Sequence, residues 1–183
     1  MRAGAAPLVF AACVLAAGCS DDAITALDLG VGPSDQLTLR VGGARRPMAA
    51  WFSFYVQPLT TDESQPPAVY LVVTAIDPAF DCAHPATGLD AISFLFRDRG
   101  AGAASTTVLS RRGPTLGSSV GGDASATLDS VDDRLSGYDL DAGTVASGAG
   151  RVTGRAHWVD GALGLDGHFA ASHCAALDFI VPG

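Results

Sequence analysis

Short runs of β-branched, aromatic and other apolar residues recur along the chain, and Gly, Pro and Asp interrupt them at intervals that suit strands. The runs that predict strands are Gln36–Val41, Ala49–Val56, Ala68–Ile76, Ala91–Arg97, Thr106–Ser110, Ala124–Val131, Leu135–Leu140, Arg151–Val159 and Leu163–Ser172. After the N-terminal segment, no window has the spacing of an amphipathic helix of useful length. The pattern therefore predicts an all-β domain, built as an antiparallel β-sandwich or a partly closed barrel.

The C-terminal third predicts a hairpin whose register can be read residue by residue. Asp160-Gly161 is typical of a type I′ turn, and pairing outward from it separates an apolar face from a polar one. The apolar pairs are Trp158 with Leu163, Ala156 with Leu165, Gly154 with Gly167 and Val152 with Phe169. The polar pairs are His157 with Gly164, Arg155 with Asp166 and Thr153 with His168. We expect Trp51 or Tyr138 to cover the gap beside the facing glycines.

A second hairpin is predicted around a three-residue turn at Asp132-Asp133-Arg134. Its pairs are Leu128 with Tyr138 and Ala126 with Leu140. The two hairpins repeat one form, and the C-terminal one ends in Gly167-His168-Phe169-Ala170 shortly before Cys174. This C-terminal pattern resembles that of uncharacterised envelope lipoproteins from GC-rich Gram-negative bacteria, a resemblance that brings no known activity with it.

The N-terminus carries Arg2 and then an apolar run from Ala5 to Ala17. The run is too short to span a bilayer as a stable helix, and its flanks are typical of a secretory signal. The following string, Leu15-Ala16-Ala17-Gly18-Cys19-Ser20, resembles the lipobox of bacterial lipoproteins, although the leucine stands four residues before the cysteine rather than the usual three. The resemblance implies cleavage before Cys19 and acylation of its new N-terminus, with Cys13 as a weaker rival. Ser20 in second place resembles lipoproteins released to the outer membrane.

These features divide the chain into three parts. Residues 1–18 are the predicted signal peptide, residues 19–35 a lipidated flexible tether, and residues 36–183 a single β-domain. The tether is polar, rich in small residues and without a strong period. Fully extended, it reaches at most about 50 Å.

Composition narrows the possible partners. The chain has 183 residues and a formal net charge of −8, with a pI near 4.6. An acidic surface repels phosphates, which argues against nucleic acid as a partner. The sequence contains no lysine and no asparagine. This excludes a P-loop lysine, a Schiff-base lysine and N-glycosylation.

Cys82 and Cys174 remain once the signal is removed and Cys19 is lipidated. In an oxidising envelope compartment an even pair predicts a disulfide, and closing so long a loop contributes about 4 to 5 kcal/mol on the chain-entropy model. The alternative is a Cys2His2 zinc site in which His84 and His173 complete the tetrahedron, although the spacing is tighter than in known zinc motifs. The disulfide and the zinc site exclude each other.

Other candidate groups have a catalytic or binding interpretation beside a structural one. Ser119 is central in Gly117-Ser118-Ser119-Val120-Gly121, which matches the G-x-S-x-G pattern, but a flexible loop precedes it and a predicted strand follows where the motif needs a strand and a helix. His157 and His168 share the polar face of the last hairpin, several residues apart in the predicted register. We interpret both as surface histidines.

Charged clusters are the remaining candidates. Five aspartates near the middle hairpin could hold calcium, although Asp also favours turns for its own backbone contacts; they are Asp129, Asp132, Asp133, Asp139 and Asp141. The doublets Arg45-Arg46 and Arg111-Arg112 could contact anionic lipid headgroups or lipopolysaccharide, or lie solvated on the surface.

No paired acid and base, metal triad or cofactor loop is evident in the sequence, so we predict no catalytic residues, no metal and no cofactor. The sequence favours a lipid-anchored envelope module that binds or supports other molecules without catalysis. We expect it at the outer membrane, on its periplasmic or surface face. One alternative is a carrier with an apolar cavity lined by Trp51, Phe54, Tyr70, Phe94 and Phe96. Another is a small hydrolase or metal-dependent enzyme.

Overall fold

The computed structural model describes residues 36–57, 66–119, 123–140, 142 and 144–180. The strands are β1 (Thr38–Val41), β2 (Ala44–Pro47), β3 (Ala49–Gln57), β4 (Ala68–Ile76), β5 (Ala91–Phe96), β6 (Ala104–Arg112), β7 (Asp123–Asp132), β8 (Leu135–Asp139), β9 (Thr144–Ser147), β10 (Arg151–Asp160), β11 (Leu163–His173) and β12 (Phe179–Ile180). A 3-10 turn, Ala175–Leu177, precedes β12. The predicted all-β class is confirmed, and every predicted strand is present.

The strands form a nearly closed barrel rather than two stacked sheets. Ten of them make one sheet in the order β12-β3-β4-β5-β6-β7-β10-β11-β1-β2, and β11 also pairs with β3. That additional pairing is parallel and joins Ser172 to Trp51 and His173 to Phe52. It brings the last long strand against the first, so the sheet curls into a ring from β3 round to β11.

The last hairpin has the predicted faces, but its predicted register is wrong by two residues. β10 and β11 pair Trp158 with Leu165, Ala156 with Gly167, Gly154 with Phe169 and Val152 with Ala171. Asp160 pairs with Leu163, so the two-residue turn is Gly161-Ala162. Gly161 has a φ of 58° whereas Ala162 is not in the positive region, which is the pattern of a type II′ turn. Glycine at the first central position sets the register.

The corrected register changes the polar partners and fills the expected gap. His157 lies opposite Asp166, and the predicted Arg155–Asp166 pair is wrong. Gly154 faces Phe169, whose ring lies so close that a Cβ on the glycine would be 2.6 Å from its Cζ atom. Phe169 therefore covers this position, and neither Trp51 nor Tyr138 is needed there.

The predicted hairpin around the turn Asp132-Asp133-Arg134, which would pair β7 with β8, is also wrong. β8 pairs with β9 in a separate two-stranded sheet, in which Tyr138 lies opposite Val145. β7 pairs with β6 along one edge and with β10 along the other. Because both edges of β7 are occupied, no edge remains for β8.

The inside of the barrel is a filled hydrophobic core. Alternate residues of every long strand point inward, and the largest of them are almost fully buried: Phe52, Phe54, Leu71, Ile92, Phe94, Phe96, Leu128, Trp158 and Leu165. Burying each such side chain contributes about 1.5–3 kcal/mol, before the chain entropy that opposes it. This core is the main source of stability for the fold.

A second, smaller cluster lies on the outside of the sheet. Ile76, Phe80 and Ala91 pack there with Cys174, and Trp51 lies against Phe80 with its ring edge-on at 6.2 Å. The predicted disulfide joins Cys82 to Cys174, with their Cα atoms 5.7 Å apart. It therefore fastens the loop between β4 and β5 to the end of β11.

A buried carboxylate fixes one end of the barrel. Asp90 accepts hydrogen bonds from the backbone N–H groups of Thr115 (2.9 Å) and Leu116 (3.0 Å), and it pairs with Arg46 of β2. Burial raises the pKa of Asp90, but the hydrogen bonds from Arg46 and Thr115 outweigh it and leave the pKa below its ordinary 3.8. Gly113 must be glycine here, because its φ is 129° and a Cβ would lie 2.4 Å from the Asp90 Cα.

We expect Asp90→Asn to lower the free energy of unfolding by about 3 kcal/mol at neutral pH, because it removes the buried charge that Arg46 contacts and leaves that arginine only Asp77, at 3.9 Å. The folded pKa is lowered, so this contribution is complete above about pH 4 and is lost as the pH falls through the folded value. Urea unfolding from neutral to acidic pH measures both effects. The control is Asp166→Asn, whose carboxylate is 78% exposed and should change little. Equal behaviour of the two variants would contradict the role given to Asp90.

We also expect reduction of the disulfide to lower stability by about 4 kcal/mol, since it constrains a long loop of the unfolded chain. Chemical unfolding with and without reductant measures the difference. The double variant Cys82→Ala/Cys174→Ala should have the same free energy of unfolding as the reduced protein, and reductant should not lower it further. Limited proteolysis should then cut first between β4 and β5, and cleavage elsewhere would argue against a local fastening.

Candidate functional site

One side of the barrel carries mainly polar side chains. We call it the outer polar face and define it by Ser125 and Thr127 of β7, Arg155 and His157 of β10, Asp166 and His168 of β11, Thr38 and Arg40 of β1, and Arg45 of β2. The strand registers place these residues in neighbouring rows. Their in-between neighbours, such as Ala156 and Leu165, are buried, so the alternation of each strand turns the polar residues outward.

Two depressions mark this face. The smaller, of about 110 Å³, lies over Gly164 and is bordered by Thr38, Arg40, Arg45 and His157; we call it the arginine depression. The larger, of about 480 Å³, is shallower and is bordered by Thr127, Arg155, His157 and His168. His157 separates the two.

Charges on the outer polar face are only partly paired. The His157 Nδ1 atom lies 3.0 Å from an Asp166 carboxylate oxygen, and the Arg155 guanidinium lies 3.6 Å from that of Asp129. Arg40 and Arg45 lie directly opposite each other across β1 and β2. In the part of the chain that the structure describes, neither has a carboxylate within 4 Å. Among the described residues of this face, Arg40 and Arg45 are therefore two like charges placed opposite each other without an ion pair of their own.

The two candidate histidines lie closer together than predicted. Since His157 is opposite Asp166, His168 occupies the next position of β11 on the same face. The two rings border the larger depression from neighbouring strands. His157 is held by Asp166, which gives it a role as a hydrogen-bonding surface group, in line with our interpretation.

The alternative zinc site is excluded by the disulfide, because both sulfur atoms are bonded to each other. The two histidines also have separate partners. His84 is exposed and bonds to Asp81 at 2.9 Å, and this hydrogen bond is the main reason that the pKa of Asp81 is lowered. His173 bonds to Asp178 at 3.1 Å and is nearly buried.

Ser119 does not lie in a nucleophile elbow. It forms a two-way backbone bridge with Arg111, with N···O distances of 2.9 and 3.0 Å. β6 precedes it and β7 follows it, so the helix that the G-x-S-x-G pattern requires is replaced by a strand. Gly117, two residues before it, has a φ of 69°, which is typical of a glycine in a turn.

The acidic cluster is dispersed among separate partners. Asp132 bonds to Arg134 at 2.6 Å, which lowers the pKa of the aspartate and raises that of the arginine. Asp133 pairs with Arg99 at 2.8 Å, and Asp139 accepts the backbone N–H of Ala142. Asp129 pairs with Arg155, as described above, and Asp141 lies outside the described residues. Within the described ranges, no three His, Cys, Asp or Glu side chains converge as metal ligands.

Both arginine doublets are divided by strand alternation. Arg46 turns towards Asp90, while its neighbour Arg45 stays exposed. Arg111 pairs with Asp160 at 2.6 Å and lies over the Trp158 ring, while Arg112 is exposed. Neither doublet therefore forms a patch of two adjacent surface charges. The interpretation of each doublet as one pair of surface charges is wrong.

The aromatic residues predicted to line a carrier cavity do not surround one space. Phe54, Phe94 and Phe96 are buried within the core. Trp51 lies in the outer cluster beside Phe80, and Tyr70 contacts Tyr55 outside the sheet, with tilted rings whose centroids are 5.9 Å apart. Strand alternation again explains the separation.

The opposition of Arg40 and Arg45 was missed because β2 was not predicted. The signal was present: Gly42-Gly43 lies between Val41 and Ala44, and two glycines between short strands are typical of a type I′ turn. Both glycines have positive φ, 54° and 90°. Recognising this turn would have placed Arg45 opposite Arg40.

The signal peptide, the tether and Cys19 lie outside the described residues. Among those that are described, no helix has the length and apolar character to cross a bilayer. No protein family, curated protein or solved structure matches the chain at a significant level.

Proposed function

We propose that this chain is a lipid-anchored β-domain of the bacterial cell envelope that binds or supports other molecules without catalysing a reaction. In this proposal the signal is removed before Cys19 and the cysteine carries the lipid. Its first partner is the membrane, and nucleic acid is not a partner. Ser20 after the cysteine favours the outer membrane, with the domain on its periplasmic or surface face.

The observation that carries the proposal is the long-range disulfide. Cys82 and Cys174 are bonded across 92 residues, and Cys174 is fully buried. Such bonds persist in oxidising compartments outside the cytoplasm. Cys19 is then the one cysteine left after the signal, and it stands in the string that resembles a lipobox. Envelope export thus accounts for the use of each remaining cysteine.

The filled core supports a module that works through its surface. Phe52, Phe94 and Trp158 occupy the space in which a carrier would hold its ligand. The candidate catalytic groups support the same interpretation, because Ser119, His84 and His173 lie in separate places, and His157 and His168 share only the exposed outer polar face. The outer polar face, with its two depressions, is then the surface on which we place binding.

Intact mass of the protein extracted from its native membrane tests the proposal. We expect a chain that begins at Cys19 and carries acyl chains, and that gains alkyl groups at Cys82 and Cys174 only after reduction. Cys19→Ser should abolish the acyl mass and release the protein from the membrane, because the acylated residue is gone. The matched control is Cys13→Ser, which should leave both unchanged. A chain beginning at Met1 with alkylatable thiols would overturn the proposal.

A further inference from the structure

We propose that Arg40 and Arg45 together bind one phosphate group of an anionic membrane lipid, in the arginine depression. The inference rests on the proposed function, since it assumes that the chain is anchored at Cys19. It adds a specific surface, a ligand chemistry and an orientation of the domain on the membrane.

Arg40 and Arg45 repel each other in the structure as it stands. Arg40 and Arg45 face each other across an antiparallel pair, and both are exposed. Like charges placed directly opposite in this way destabilise a sheet. Over the described part of the chain, neither arginine forms an ion pair, and the acid that borders the depression, Asp166, contacts His157 instead. A bound anion between the two guanidinium groups removes this repulsion.

The surface beneath the two arginines has a shape that suits a small anion. Gly164 forms the floor of the depression, and a Cβ there would lie 3.1 Å from the Arg40 Nη2 atom. The guanidinium of Arg40 therefore lies across the glycine. Thr38 and His157 border the same space of about 110 Å³, which suits a single phosphate and its hydration. The planar fork of arginine matches the oxygens of a phosphate.

The acid beside the two arginines already has a hydrogen-bond partner. Asp166 is the carboxylate that borders the depression, and its Oδ1 atom lies 3.0 Å from His157 Nδ1. Its carboxylate is thus engaged with the histidine and not with either arginine. The two guanidinium groups outnumber this one carboxylate, so the depression keeps a net positive charge for an incoming anion.

The position of the tether selects a lipid as the source of that phosphate. Gln36, the first described residue, pairs with His168 on the outer polar face, and β1 follows it at once. The predicted tether, residues 19–35, therefore joins the domain on this side. Even fully extended, a segment of this length reaches at most about 50 Å. It would hold the face near the headgroups at a high effective concentration, so that weak contacts suffice.

Arginine footprinting tests this directly, because the chain has no lysine to compete for an arginine-specific dicarbonyl reagent. The acylated full chain is placed in vesicles of phosphatidylglycerol and phosphatidylcholine, or of phosphatidylcholine alone. Labelling of each arginine is then followed by mass spectrometry. We expect Arg40 and Arg45 to be protected in the anionic vesicles, and high salt to remove the protection. Arg97 and Arg112, which are also exposed, serve as internal controls and should label equally in both vesicles.

Variants separate a shared site from general attraction. Arg40→Gln should reduce the protection of Arg45 about fivefold, which is the factor that one basic residue contributes near an anionic membrane. The matched variant Arg112→Gln removes the same charge elsewhere and should leave Arg45 protected. Gly164→Ala keeps every charge but fills the floor of the depression, and it should also reduce the protection. Circular dichroism confirms that each variant is folded.

Each other outcome overturns the proposal in a defined way. Equal labelling of Arg40 and Arg45 in both vesicles would exclude the site. Protection by inorganic phosphate in phosphatidylcholine vesicles, without protection by phosphatidylglycerol, would exclude the lipid as its source. Unchanged protection of Arg45 in Arg40→Gln would exclude a shared phosphate. Failure of the proposed function is seen separately, as an intact mass without acyl chains; protection of the unacylated chain by added anionic vesicles would then still support the site.

Discussion

The whole domain depends on the seam where β11 meets β3. The ladder there is short, because the chain leaves β3 after His173 and returns only at Phe179. The gap is bridged by the Asp178 carboxylate, which accepts the backbone N–H of Phe54 at 2.8 Å in place of a strand partner. The same carboxylate holds His173, whose ring lies 5.3 Å from that of Phe54. A side chain thus completes the sheet where the backbone cannot.

Alternation along the chain was enough to predict the class and the strands, because each long strand buries one face. It could not predict closure. The parallel pairing of β11 with β3 joins residues far apart in sequence and has no local signature, and β12 is too short to show a period. The register of the last hairpin failed for a narrower reason: both Asp160-Gly161 and Gly161-Ala162 are acceptable turns by composition, and the φ of Gly161 decides between them.

The site was less accessible to sequence reasoning than the fold. Cysteine count and compartment were sufficient for the disulfide. The arginines, however, were grouped by adjacency in the chain, whereas a strand sends neighbours to opposite faces. Arg46 belongs with Asp90 inside the end of the barrel, and Arg45 belongs with Arg40 on its surface. The electrostatic character of each residue therefore follows from strand pairing, which the sequence shows only through the glycines of the turn.

The seam also sets the order in which the domain can form. β3 lies near the start of the domain and its partner β11 near the end, so the ring cannot close until almost the whole chain is present. Contacts of such high sequence separation make folding slow. If the chain is exported N-terminus first, as we propose, this delay is useful, because the chain stays unfolded until its last strand has left the cytoplasm. Closure of the barrel then coincides with arrival in the compartment where Cys82 can find Cys174.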